Sequence, residues 1–143
     1  MMIEDVELPV TAPHGAFEFT GTSATHFDNA SFNFPSFGYE SLKLLNFQRN
    51  ASVLSPYLHL SLCQPNQSLN GISGRATYSR KVHLWDKATG NEADFTAGFM
   101  FSIDSRHRND SGDGLTFFIA PWGFSMPRGL GGGQLGLPKD SYC

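Results

Sequence analysis

The sequence is poor in charge, in cysteine and in long apolar runs, and each shortage narrows what the chain can be. Charged residues fill only 16% of its 143 positions. A disordered acidic or basic tail carries far more. The formal net charge of −3 offers no electrostatic footprint for nucleic acid or an anionic membrane surface. The two cysteines, Cys63 and Cys143, belong to no C-x-x-C or Cys/His cluster, so no zinc site is expected. They could form one disulfide, or Cys143 could remain a thiol at the final position. No stretch approaches the roughly 18 apolar residues of a membrane span. The opening MMIEDVELPVTAPHGAFEF lacks a basic region followed by an apolar one, so no secretory signal is visible.

What the chain has in quantity is phenylalanine, with 13, and glycine, with 15. Eight prolines add to the turn-forming stock. This composition suits a loop-rich β protein. Residues 1–30 show no sustained period and read as a poorly defined leader, with one domain over 31–143. Within that domain the apolar residues alternate, as strands require. Phe32 and Phe34 share a face, and GYESLKLLNFQ places Leu42, Leu44 and Asn46 on one side. Leu58, Leu60 and Leu62 alternate against His59 and Ser61, and Val82 and Leu84 against Lys81, His83 and Trp85. The cleanest period of two is ADFTAGFMFSID, which aligns Phe95, Ala97, Phe99, Phe101 and Ile103. LTFFIAP reads as a further strand, with Phe117 and Ile119 on one face. Phe95, Phe99, Phe101, Phe117 and Ile119 are therefore expected in the core. No helix of normal length is expected, and the fold class is all-β, an antiparallel sandwich or barrel.

Few motifs survive a chemical test. Glu92 and Asp94 sit at a turn edge without the partner that glycoside hydrolysis needs, and no G-x-S-x-G elbow exists. The chain is not expected to be an enzyme. His59 and His83 lie on polar strand faces and read as surface residues. Asn109 to Gly114 imitates the first half of a calcium loop, but the twelfth position falls on Ala120, which cannot ligate. GLGGGQLG has no lysine for a phosphate loop; it reads as a surface loop whose bare backbone can approach a ligand closely. N-x-[ST] occurs at Asn29, Asn50, Asn66 and Asn109, where composition alone gives about one match. These candidate N-glycosylation sites point to the secretory pathway or the extracellular space.

Several stretches in order carry a likeness. FNFPSF, LNFQRNASVLSPYLHLSL, GRATYSRKVHLWDKATGNEADFTAGFMFSID, GDGLTFFIAP and GGGQLGL together resemble the legume-type (L-type) lectin domain of plants, from about Ser31 to Leu137. They are also similar to the ectodomains of lectin receptor kinases. The resemblance implies a concanavalin-like jelly-roll β-sandwich with a shallow carbohydrate site for mono- or oligosaccharides, free or on glycoproteins. It matches a site carboxylate to Asp113 and a backbone N–H donor to Gly133. A carboxylate accepts charge-assisted bonds from sugar hydroxyls, and a glycine amide donates one without steric cost. In the family the peptide before that Asp is cis, and bound calcium enforces it. The family's calcium and manganese ligands belong to a later segment, as does the side-chain amide that completes the site. No metal or other cofactor is therefore expected on residues 1–143. The likeness covers the family's N-terminal half, so the domain reads as truncated, with Phe-rich faces and strand edges open to water. Those edges favour homo-oligomers, and little sugar binding is expected of the segment alone. A lectin-like protein that binds no sugar and acts as a protein-interaction module is the alternative.

Overall fold

Alternation becomes strands in most of the expected places. The computed structural model describes residues 5–7, 17–22, 31–62, 71–103, 114–125 and 135. Its elements are β1 (Asp5–Glu7), β2 (Phe17–Thr22), β3 (Ser31–Phe34), α1 (Tyr39–Leu44), β4 (Leu45–Arg49), β5 (Ser52–Leu54), β6 (Tyr57–His59), β7 (Gly74–Tyr78), β8 (Val82–His83), β9 (Asp94–Phe99) and β10 (Ala120–Pro121). The strand pairings among them are all antiparallel. They build sheets of order β10-β1-β8 and β3-β2-β9 and the pairs β4-β7 and β5-β6. The fold is all-β, as the periodicity indicates. Residues 1–30 contribute two strands that no sustained sequence period revealed, and both occupy the centre of a sheet.

The core forms where these sheets meet. Phe32, Phe34, Phe37, Leu45, Leu58, Ala76, Tyr78 and Val82 make one buried cluster. Phe32 of β3 stacks on Tyr78 of β7 with ring centroids 3.9 Å apart. Phe34 stacks on Phe37 at 5.7 Å. Burying each such ring stabilises the fold by roughly 1.5–3 kcal/mol.

Two expectations need correction. The stretch Tyr39–Leu44 is a short helix and not a strand. The Gly38 carbonyl accepts from Ser41 N at 3.1 Å and Leu42 N at 3.4 Å, and Ser41 Oγ takes the Gly38 amide in return. YESLKL contains no β-branched residue to oppose this, and Glu40 pairs with Lys43 across one turn. Leu42 consequently faces water while Leu44 packs on the core. The second correction concerns the Phe-rich strand. Phe95 is 40% exposed, Phe99 38% and Phe101 49%. The predicted face is the right one, because Ala97 of β9 packs on the core and Phe99 stacks on Phe117. Too little lies over that face to bury the rings. Phe117 and Ile119 do pack against the core, although residues 114–119 carry no strand pairing.

Candidate lectin site

Asp113 and Gly133 lie outside the described residues, as do Asn29, Asn66, Asn109, Cys63 and Cys143. Gly114, directly after Asp113, and Leu135, two positions after Gly133, are described. Gly114 has φ +127°, a region that L side chains rarely adopt. A β-carbon placed on Gly114 would lie 3.9 Å from Leu135 Cδ2. Leu135, two residues after Gly133, has φ 52°. A bulky residue in that left-handed region is a genuine outlier, and such strain gathers at ligand clamps. Two residues far apart in sequence thus meet at one corner, each with a left-handed backbone.

The chain from Gly114 onward is anchored by side chains. Phe117 and Ile119 face the main core. Phe118, pointing the other way as successive residues of extended chain do, lies over the guanidinium of Arg75, 5.1 Å from its ring centroid. Phe124 covers the same guanidinium at 5.3 Å. Arg75 Nη2 donates to the Phe124 carbonyl at 2.6 Å and to Gln48 Oε1 at 2.8 Å. Arg75 and Gln48 are direct partners in the β4-β7 ladder. Sequence reasoning took Arg75 only as part of a motif. In GRATY it shares the polar face with Thr77, which alternation alone assigns to solvent, yet both are buried. The signal that could have exposed this is the adjacent pair Phe117-Phe118. Two consecutive aromatics make a segment apolar on both sides, so it can cover one layer and cap another.

Other candidates separate from this corner. Glu92 and Asp94 are exposed, with Glu92 bridged to Trp85. His83 is exposed and His59 half-buried, 6.4 Å from the Tyr57 ring. The Asn50 amide donates to the Leu62 carbonyl at 3.3 Å and is half-buried in the folded chain. Asp86 has its carboxyl held below the usual value by the backbone amides of Thr89 and Ala88. Among the described residues no three His, Cys, Asp or Glu side chains converge, so they do not fit a calcium or manganese site. No described helix is long and apolar enough to cross a membrane.

A family model described as the legume lectin domain matches residues 29–142. The chain belongs to the legume lectin domain family. Its relatives include bark agglutinin I polypeptide B of Robinia pseudoacacia, 39% identical over 111 residues, which are 77% of this chain and 38% of that one. The galactose-binding lectin of Arachis hypogaea is 40% identical over 111 residues, 77% of this chain and 39% of that lectin. Favin of Vicia faba is 39% identical over 107 residues, 75% and 42% of the two chains. The chain thus spans about two fifths of the length of these curated relatives. Legume lectin domains are carbohydrate-binding, non-enzymatic β-sandwiches, and the strand-rich architecture agrees with the sandwich.

Proposed function

We propose that this lectin domain binds carbohydrate at the corner beside Gly114 and Leu135, with Asp113 as hydroxyl acceptor and the Gly133 amide as donor. The observation that carries the reading is the approach of Gly114, which follows Asp113, to Leu135, two positions after Gly133. A rigid rim matters because a shallow site wins little against water unless its polar groups are preorganised. Glycans of glycoproteins in the secretory pathway or outside the cell are the proposed partners. No metal is proposed on residues 1–143, so added calcium and manganese should leave both thermal stability and sugar retention unchanged.

The test is retention on densely displayed monosaccharides, a format in which weak sites add through multivalency. Asp113→Asn keeps the shape and removes the charge, and should cost about 1.5–3 kcal/mol of binding. Equal retention of both proteins would remove Asp113 from the site. The exposed Phe95, Phe99, Met100, Phe101 and Ile103 favour a second reading, a protein-interaction module. A wild type that ignores every sugar and self-associates would select it.

A further inference from the structure

We propose that Asn50 is a folding-gated glycan acceptor: its Asn50-Ala51-Ser52 sequon takes an oligosaccharide while the chain is open, and the closed fold withholds it. The inference goes beyond the sugar site and does not depend on it. An N-linked glycan is bulky and needs a surface acceptor, usually in a loop or turn. Asn50 does occupy a turn. Ala51 N donates to the Gln48 carbonyl at 3.4 Å, and Arg49, the last residue of β4, has φ 57°. This turn, however, is packed against two other segments. The Asn50 backbone N–H donates to the Ser73 carbonyl at 3.2 Å, and the Asn50 carbonyl accepts from Leu62 N at 3.1 Å. The side-chain Nδ2 donates to the Leu62 carbonyl at 3.3 Å. Asn50 and Leu62 therefore hold each other through both backbone and side chain.

The rest of the sequon is committed as well. Ala51 is buried, and Ser52 lies opposite His59 in the β5-β6 ladder. A β-carbon built on Gly74 would lie 3.0 Å from the Asn50 carbonyl carbon and collide with the Leu60 carbonyl, so the three segments touch backbone to backbone. Glycan transfer forms a bond between Nδ2 and the anomeric carbon of an oligosaccharide carried on a lipid pyrophosphate. The bond from that carbon to the pyrophosphate oxygen breaks, the lipid pyrophosphate leaves with the electron pair, and one amide proton is lost. The transferring enzyme must reach Nδ2 and Ser52 together. In the closed fold both belong to hydrogen-bonded structure, so transfer proceeds only through the fraction in which the β4-β5 corner has opened. Before β4 to β7 pair, the same three residues are loose chain. Occupancy of Asn50 then records how long the corner stayed open.

The experiment incubates the purified chain with an N-glycosylating transferase and a lipid-pyrophosphate-linked oligosaccharide, and reads Asn50 occupancy by mass spectrometry of proteolytic peptides. A synthetic peptide of residues 46–56 is the open reference, and amide exchange of Asn50, Ala51 and Leu62 reports the state of the corner. Folded wild type should be modified at Asn50 at least about tenfold more slowly than the peptide, since only the opened fraction reacts. Gly74→Ala, which forces the Leu60 and Ala51 backbones away, should speed the exchange of those amides and raise modification toward the peptide's rate. Leu58→Ala, which removes a fully buried β6 side chain opposite Val53, carries that arm if Gly74→Ala does not stay in solution. Asn50→Asp and Ser52→Ala both abolish the sequon, but only Asn50→Asp loses the donor to Leu62, so it should lower the urea midpoint further. Equal midpoints for the two overturn the Leu62 latch on which the gating rests. Wild type modified at the peptide's rate while its corner amides stay protected overturns the proposal. So does a loosened variant whose corner amides exchange freely without any gain in modification. A peptide that takes no glycan removes Asn50 as an acceptor altogether.

Discussion

β3 and β9 flank the same strand, carry the same alternation of phenylalanine with small or polar residues, and reach opposite degrees of burial. β2 pairs with both: Phe17 lies opposite Phe34 and Phe99, and Phe19 opposite Phe32 and Ala97. Directly opposed residues share a sheet face, so Phe32, Phe34, Ala97 and Phe99 belong to one continuous apolar surface. At the β3 edge it is covered, and Phe32 and Phe34 are 9% and 4% exposed. Tyr78 and Phe37 supply the cover. At the β9 edge Phe95 and Phe99 remain about two fifths exposed, with Phe117 the ring stacked on Phe99. Alternation determines which way a side chain points. Burial depends on a second layer, which the strand's own sequence does not encode.

The covered side breaks most sharply at Gly74, where β7 begins. A β-carbon there would collide with the Leu60 carbonyl and lie 2.5 Å from the Ala51 amide nitrogen. Both obstacles are backbone, so no rotamer change can relieve them. Gly74→Ala should cost about 3 kcal/mol or more, above the usual range for overpacking. Urea unfolding or the soluble yield measures this, and a variant of wild-type midpoint would mean that β5-β6 moves aside freely.

The comparison between the two edges can be read directly by truncating one ring on each side. Phe37 is 1% exposed, and Phe37→Ala should cost about 3–5 kcal/mol. Phe99→Ala removes a ring that is still 38% exposed and should cost about 1–2 kcal/mol. Matched losses in chemical denaturation would show that β9 is covered in solution, by another copy or a partner. A concentration-dependent midpoint in wild type, absent in Phe99→Ala, would identify another copy.

Much of this was legible in the residues, for reasons that differ by element. Phe32 and Phe34, Val82 and Leu84, and the β9 face all follow from a period of two. Leu42, Leu44 and Asn46 mislead because three alternating positions also fit one helical turn and its exit. What decides for the helix is the Gly38 cap and the unbranched YESLKL run. At the candidate site, Asp113 and Gly133 are suggested by motif order. The meeting of Gly114 with Leu135 depends on tertiary packing between distant segments and has no local signature. Arg75 was hidden because its cover arrives from a segment some forty positions later.

The smallest expected effect lies in the Trp85–Glu92 hairpin that leads into β9, and it sharpens the contrast between local and tertiary order. Asp86 accepts from the Ala88 amide at 2.8 Å and the Thr89 amide at 3.2 Å, while Gly90, at φ 72°, closes the turn onto the Asp86 carbonyl. The Thr89 and Ala88 amides stabilise the charged carboxylate and lower its pKa in the folded chain. A carboxyl whose folded value is depressed contributes stability above its unfolded value, about 3.9, and loses it as pH falls through the folded value. Turn order should therefore be independent of pH from neutrality down to about 4 and decline below that. Asp86→Asn keeps an oxygen acceptor but removes the titration, so its turn should be slightly weaker at neutral pH and flat on acidification. Amide shifts of Ala88 and Thr89, followed by NMR titration, report this without interference from the core. If those amides in wild type moved with a midpoint at or above the ordinary aspartate value, the two hydrogen bonds would not favour the carboxylate. The entry into β9 would then owe its geometry to Gly90 and to the backbone bonds from Asp86 N to Asn91 O and from Ala93 N to Leu84 O.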